Sequence, residues 1–267
     1  MSSTEVDELS GAPGVRSVDR ALDLLSAFSV VHPRLALGEL ADIAGLPKPS
    51  AYRIASTLVR RGYLRQDPAT GAYSLGVRLL ELGNLVSRTS ALTDLAADVM
   101  EELSRRTRET ILLAEVEWDT NTVVIVGKLA ATQVLAVSSP IGQRSSIGGG
   151  CMGKAVVAGL SAAEATERVQ SLRLTARTAR SITDPQRFLA EIRTARRRGY
   201  ATESEEFLDG VAGVAVPVMI GDRPHGAIGV IAPASRCNRR RLDELGRLIR
   251  ELMAGSAPAD DIGEEPT

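Results

Sequence analysis

The stretch Gly148-Gly-Gly-Cys-Met-Gly-Lys154 has the glycine and lysine spacing of a phosphate-cradling loop. In such a loop backbone N–H groups surround the phosphates and the lysine reaches the outer ones. Two residues spoil the match: Ala155 stands where a Ser or Thr hydroxyl would hold magnesium, and Ser138-Ser-Pro-Ile-Gly-Gln-Arg144 before it is no buried strand. The stretch therefore argues against nucleotide hydrolysis and for a Gly-rich loop entering a helix, whose free N–H groups and positive end can hold an anion such as a carboxylate. Cys151 sits in that loop, where a helix N-terminus would lower a thiol pKa and make it a nucleophile or redox sensor. The competing reading is a small apolar wall. His32 precedes Pro33 and His225 falls in a hairpin turn, so spacing sets neither beside Cys151 and no catalytic set assembles. Two cysteines and two histidines are also too few and too scattered for a zinc cluster or a disulfide framework. No metal and no cofactor is expected.

A second chemistry lies upstream. Lys48, Ser50, Tyr52, Arg53, Ser56, Thr57 and Arg60 recur on the outward side of one helical stripe. They offer donors to phosphates and, through Arg53, a bidentate contact to a base edge. Residues 15–75 hold eight Arg or Lys (Arg16, Arg20, Arg34, Lys48, Arg53, Arg60, Arg61, Arg65) against Asp19, Asp23, Glu39, Asp42 and Asp67, a local +3. The bland alternative is a helical subdomain with a solvated basic face. Arg193, Arg196, Arg197 and Arg198 read as a solvated face too, with a second DNA contact as the lesser alternative.

The elements that would position these groups follow from periodicity. Val18, Ala21, Leu22, Leu24, Leu25 and Phe28 give a first helix with Ser17 placed to cap it. Leu37, Leu40, Ala41, Ile43 and Ala44 give a short second one ended by Gly45. Ala51, Ile54, Ala55, Leu58 and Val59 give a third, with Pro49 in its first turn and Gly62 after it. Residues 63–65 and 72–75 flank the turn-rich Asp67-Pro-Ala-Thr-Gly71 as a hairpin. Helix, tight turn, helix and hairpin spell a winged helix-turn-helix whose recognition helix spans 48–61. Leu79, Leu80, Leu82, Leu85 and Val86 then continue as a helix whose apolar face must pack on its own domain or on another chain.

Further on, helices over 92–103, 151–160, 161–171, 184–198 and 237–253 alternate with strands over 111–118, 122–129, 214–220 and 227–231. The turns fall at Asp119-Thr-Asn121 and Gly221-Asp-Arg-Pro224. That order predicts an antiparallel sheet flanked by helices, an α+β sensor-like domain.

Composition sets the outer bounds. The chain has 267 residues, 44% apolar and 24% charged, with 32 basic against 33 acidic side chains and a net charge of −1. This is enough for two packed domains and excludes a uniformly basic nucleic-acid coat. The longest apolar run, Val211–Ile220, is interrupted by Gly213 and Pro217 and falls short of the roughly 20 residues a membrane helix needs. Residues 1–10 carry Glu5, Asp7 and Glu8 without a basic start or apolar core, so no secretory signal is read and a cytoplasmic protein is expected. Residues 1–14 and 255–267 are polar and acidic and are expected to be disordered.

Arg16-Ser-Val-Asp-Arg-Ala-Leu-Asp-Leu-Leu25, Gly45-Leu-Pro-Lys-Pro-Ser-Ala-Tyr-Arg53 and Arg61-Gly-Tyr-Leu64 closely resemble the IclR family of bacterial transcriptional regulators. Gly153-Lys-Ala155, Arg198-Gly-Tyr-Ala201, Glu205-Glu206, Gly210-Val211, Ala215-Val-Pro-Val218 and Ala232-Pro233 extend the resemblance to about residues 15–253. It implies a winged helix-turn-helix over 15–76, a linker helix over 77–90 and a GAF-like α+β effector-binding domain over 91–254. It also implies a homodimer or tetramer on double-stranded, palindromic operator DNA. The candidate DNA contacts are Arg16, Lys48, Ser50, Ala51, Tyr52, Arg53, Thr57, Arg60 and Arg65.

The resemblance places effector contacts at Cys151, Met152, Gly153, Glu203, Gly213, Gly229 and Ile231. Members that bind small polar acids present hydroxyls from the last strand, where Gly229 and Ile231 offer none. The expected effector is therefore an organic acid with an aromatic or aliphatic body, its carboxylate on the N–H groups of 151–153 and its body against Met152, Ile231 and Trp118. A cavity filled by the protein's own side chains is the competing reading. A ligand-responsive regulator of a catabolic operon is the expected function, and a small-molecule enzyme centred on Cys151 is the alternative.

Overall fold

The computed structural model describes residues 14–88, 90–137 and 139–255. The chain divides into two compact units, Met1–Thr89 and Ser90–Thr267. The expected tails, other than Gly14 and Gly255, lie outside the described residues.

The first unit contains α1 (Arg16–Ser26), α2 (Leu37–Ile43), α3 (Lys48–Arg60), the hairpin β1 (Leu64–Gln66) and β2 (Tyr73–Leu75), and α4 (Val77–Arg88). Its core joins Leu24 of α1, Leu40 and Ala41 of α2, Ala51 and Ala55 of α3, and Leu64 and Tyr73 of the hairpin. Between α2 and α3 the chain reverses at Gly45 (φ +60°), a conformation cheap only for glycine, while Leu46 N–H donates to Ala41 O at 2.8 Å. Pro47 caps α3 and Pro49 lies in its first turn, where a missing N–H costs nothing. Ser17 is not the cap of α1: the helix begins two residues earlier than such a cap would place it, at Arg16, with Val15 in the cap position. In the hairpin turn Asp67 Oδ1 accepts from the N–H groups of Ala69 (2.8 Å) and Thr70 (3.1 Å), which holds its carboxyl below the usual range.

The second unit is a six-stranded antiparallel sheet between two helical layers. Its helices are α5 (Ala91–Thr107), α6 (Gly150–Gly159), α7 (Ala162–Ser171), α8 (Pro185–Arg198) and α9 (Arg239–Gly255). Its strands are β3 (Thr110–Glu117), β4 (Thr122–Leu129), β5 (Arg144–Ser146), β6 (Ala201–Ser204), β7 (Val211–Ile220) and β8 (Arg223–Pro233), in the order β5-β4-β3-β8-β7-β6. Alternate residues of β8 enter opposite cores. Ala227 and Ile231 pack with α6 and α8, whereas Ile228, Val230 and Ala232 pack with α5 and α9. Burial of both sheet faces explains why these strands read as nearly unbroken apolar runs.

Several boundaries differ from the sequence expectation. The hairpin turn between β7 and β8 is confined to Gly221 and Asp222, so His225 stands on a strand and not in a turn. Strands β5 (Arg-Ser-Ser) and β6 (Ala-Thr-Glu-Ser) were not anticipated, because short polar edge strands lack an apolar run. The last helix begins at Arg239, after a 3-10 turn over Ala234–Arg236, because Asn238 Oδ1 accepts from Arg241 N–H at 2.9 Å and starts the helix there. Among the described residues no helix is long and apolar enough to cross a membrane.

Candidate DNA-reading surface and effector cavity

Helix α3 is amphipathic in the sense a reading helix requires. Ser50, Arg53, Thr57 and Arg60 follow one another at helical spacing on the face away from Ala55 and Ala51. Lys48, Tyr52, Arg53, Thr57 and Arg60 are exposed and Ser50 is half-buried. Ala51, expected among the DNA contacts, faces inward. It is fully buried against the domain core, so it sets helix packing and cannot touch a groove. The Thr57 hydroxyl donates to Arg53 O at 3.0 Å, which leaves it free to accept but not to donate outward. Arg16 is exposed at the start of α1. Exposed Arg65, on the wing, shares a shallow depression with Arg34, Gln66, Asp67 and Ser74. Arg34, absent from the candidate set, thus joins the wing cations. Its signal was local: it immediately precedes Leu35, which bridges to Tyr73 of β2.

The second unit encloses a cavity of about 90 Å³ between the sheet and the start of α6. Of the candidate effector residues, Cys151, Met152, Glu203 and Ile231 line it. Leu112, Ile125, Val137, Phe207, Leu208 and Val211 complete its apolar lining, and Ser139, Gln143, Ser145, Gly149 and Gly150 line it too. These partners come from distant strands and loops, and no local spacing announces them.

The three remaining candidates do not line the cavity. A Cβ on Gly153 would stand 2.5 Å from Ile147 O, and one on Gly229 would stand 2.8 Å from Val214 O. Both glycines therefore permit close backbone approach. A Cβ on Gly213 would meet Cys151 Sγ and Ile231 Cδ1 at 2.7 Å each, so Gly213 backs the wall that those two side chains form. Trp118 is also elsewhere: its Nε1 donates to Pro224 O at 3.3 Å and Arg168 stacks on its ring.

Electrostatics correct the reading of Cys151. Burial pushes its thiol well above the ordinary value, the neighbouring Glu203 charge adds to this, and Lys154 opposes it only in part. A reactive thiolate is not what this helix start provides. Glu203 is buried as well, and desolvation raises its carboxyl to about 7 against the opposing Lys154 charge and a hydrogen bond from Phe207 N–H at 3.0 Å.

Lys154, the apparent phosphate-loop lysine, is fully buried and donates to both carboxylate oxygens of Glu206 at 2.9 and 2.8 Å. The Arg198-Gly-Tyr-Ala201 motif is a structural joint. Gly199 (φ +79°) ends α8, Arg198 Nε donates to Tyr200 O at 2.7 Å, and Tyr200 OH donates to Asp243 at 3.0 Å.

Comparison with known proteins places the chain among regulators. The family description "Bacterial transcriptional regulator IclR C-terminal" matches residues 85–255, and "IclR helix-turn-helix domain" matches residues 17–68. The chain is 31% identical to the HTH-type transcriptional regulator KipR of Bacillus subtilis over 88% of its own length and 93% of KipR. It is 28% identical to the acetate operon repressor of Salmonella typhimurium, over 88% of this chain and 86% of that one. The crystal structure of an IclR homolog from Microbacterium hydrocarbonoxydans, complexed with 4-hydroxybenzoate, superimposes with a TM-score of 0.75 at 24% identity. That match covers 90% of this chain and 97% of the other and is a likeness of fold.

Proposed function

The chain belongs to the IclR family of bacterial transcriptional regulators, and from that premise we propose that it binds a palindromic operator as a dimer or tetramer and is modulated by a small organic acid. Its relatives regulate transcription and are not enzymes, and the buried thiol of Cys151 gives the enzyme alternative no nucleophile. In the proposed complex Arg53 reads a base edge, Arg16, Lys48, Ser50, Tyr52, Arg60 and Arg65 bind phosphates and fix the helix in the major groove, and Thr57, whose proton is held by Arg53 O, offers an acceptor to a base amino group.

The observation that carries the effector reading is the cavity itself. The first turn of α6 lines it, with N-cap Gly149 offering no side chain to satisfy the opening N–H groups, and Ser139, Gln143 and Ser145 line it as well. The rest of the lining is apolar apart from Glu203. A carboxylate would sit on the N–H groups of this first turn and a compact aromatic or branched aliphatic body would fill the rest. Glu203 faces the same space and would oppose an anion once ionised, so the acid binds best while Glu203 is protonated.

Exposed Val18, Leu22, Val77, Leu80 and Leu82 on α1 and α4 support pairing of two copies, which a palindromic site requires. A relative named for the acetate operon supports a catabolic target whose substrate or product is an acid, and the work is done in the cytoplasm, where operator DNA lies. The reading is tested by thermal shift with benzoate and 2-methylbutyrate on the full-length protein. An acid at 100 times its Kd adds about 2.7 kcal/mol of stability. A shift with neutral benzamide but with neither acid rejects the carboxylate.

A further inference from the structure

The cavity has walls of two kinds. Leu112, Ile125, Cys151, Met152 and Ile231 belong to the sheet and α6 and lie in the buried core. Phe207 and Leu208 belong instead to the loop 205–210 that joins β6 to β7, and Leu208 both lines the cavity and is 53% exposed. This loop forms the outer side of the cavity.

The loop is anchored at its root, where the buried Lys154 holds Glu206 and Glu205 takes a left-handed conformation (φ +59°). Its far end turns at Gly210 (φ +75°), whose N–H donates to Glu205 Oε1 at 3.1 Å. Between these points it is held from outside by the segment 172–184, which links α7 to α8 without helix or strand of its own. The Thr178 hydroxyl donates to Glu205 O and the Ser181 hydroxyl to Glu206 O, both at 2.7 Å. Arg180 pairs with Glu205 at 2.7 Å, and the Arg177 guanidinium lies 4.0 Å from the centroid of the Phe207 ring. Arg177 is exposed and reaches none of the core walls of the cavity; what it holds is the one aromatic ring of the outer wall.

We propose that Arg177 and its strap latch Phe207 across the cavity, and that opening of this latch is the route by which a ligand reaches Cys151 and Glu203. Arg177 is thus a positioning residue for the effector site. The biological meaning rests on the cavity being that site, but the latch itself does not. An exposed cation–π contact is weak, and a loop held by a few polar bonds opens at far lower cost than the sheet beneath it. Both properties suit a door that must open often without unfolding the domain.

Cys151 reports the opening without any effector. The probe is 4,4′-dithiodipyridine, applied to the full-length chain carrying Cys237→Ala, which leaves Cys151 as its single thiol. Labelling of Cys151 should run much faster than the globally unfolded population allows. Arg177→Ala should speed it roughly two- to fivefold, the worth of an exposed cation–π contact, and Thr178→Val with Ser181→Ala should speed it further. Phe207→Ala should raise the rate most, and Arg177→Ala added to it should change nothing, because the stacking partner is gone. The latch is overturned if Arg177→Ala leaves the rate unchanged, if it accelerates labelling equally without Phe207, or if labelling follows global unfolding in every variant. Should Cys237→Ala fail to fold, peptide-resolved mass spectrometry of labelling at Cys151 in the parent chain and its Arg177→Ala variant gives the same comparison. Benzoate that does not slow labelling counts against the effector reading alone.

Discussion

The Lys154 ammonium donates to both carboxylate oxygens of Glu206, at 2.9 and 2.8 Å, from a position with no access to solvent. A lysine so engaged is not available to a triphosphate. The phosphate-loop spacing at 148–154 is thus explained by a helix start that needs glycines for close packing and by a buried ion pair tying α6 to the loop after β6. Removing one member of a buried pair strands the other charge. Glu206 keeps partial solvent access, so Lys154→Met should destabilise the domain by about 1–3 kcal/mol, and Lys154→Met with Glu206→Leu should recover part of that loss. Urea unfolding of the single and double variants checks this. A thermal shift with Mg-ATP that Lys154→Met abolishes would return the stretch to nucleotide binding.

Glu203 gives the domain a pH dependence. Its carboxyl is raised by burial to about 7 from its ordinary 4.5, so the folded state holds a proton that the unfolded chain releases. Stability from this group is full below pH 4.5, falls as pH rises to 7, and is lost above it. Glu203→Gln keeps an acceptor for Phe207 N–H and removes the titration. Its advantage over the parent should grow by about 3 kcal/mol between pH 4 and pH 8. A constant difference across that range would show that folding does not raise the Glu203 carboxyl above its ordinary value.

Gly213 backs the cavity wall, and its missing Cβ is what lets Cys151 and Ile231 stand where they do. Gly213→Ala should push both side chains into the cavity, cost about 1–3 kcal/mol and abolish any stabilisation by benzoate. Gly229 is not an equivalent site for such a test. A side chain there meets the Val214 carbonyl first, so it disrupts the β7–β8 pairing before it fills the cavity.

On the DNA side, Arg53→Ala should weaken operator binding by about 1–3 kcal/mol and relax base preference. Lys48→Ala and Arg60→Ala should weaken binding on all sequences and lower the salt slope by about one each. Fluorescence anisotropy at several salt concentrations separates the two classes. Unchanged slopes in both lysine and arginine variants would remove them from the phosphate contacts.

The helices of the first unit could be read from the chain because Ala51, Ile54, Ala55 and Leu58 repeat at the helical period and Gly45 and Gly62 punctuate them. The same stripe carries the burial of Ala51, which shows how a residue lying among contact positions can still face the core. The sheet strands β3, β4, β7 and β8 were readable as apolar runs, whereas Arg144-Ser-Ser146 and Ala201-Thr-Glu-Ser204 gave no such signal. At Cys151 the helix start argued for a lowered thiol pKa, but desolvation, a tertiary property, outweighs it. Phe207 and Leu208 entered the site for the same reason. Only the folding of 205–210 over the start of α6 brings them to the cavity.

The central claim is that a carboxylic acid in the cavity of the second unit alters operator binding by the first. Its most direct measurement is anisotropy of a labelled duplex from the region upstream of the protein's own gene, titrated with the full-length parent and with Gly213→Ala, each with and without saturating benzoate. The account predicts salt-dependent, sequence-selective binding by both proteins and at least a tenfold change in Kd with benzoate for the parent only. Binding that ignores sequence, or a benzoate effect equal in the parent and in Gly213→Ala, would contradict it.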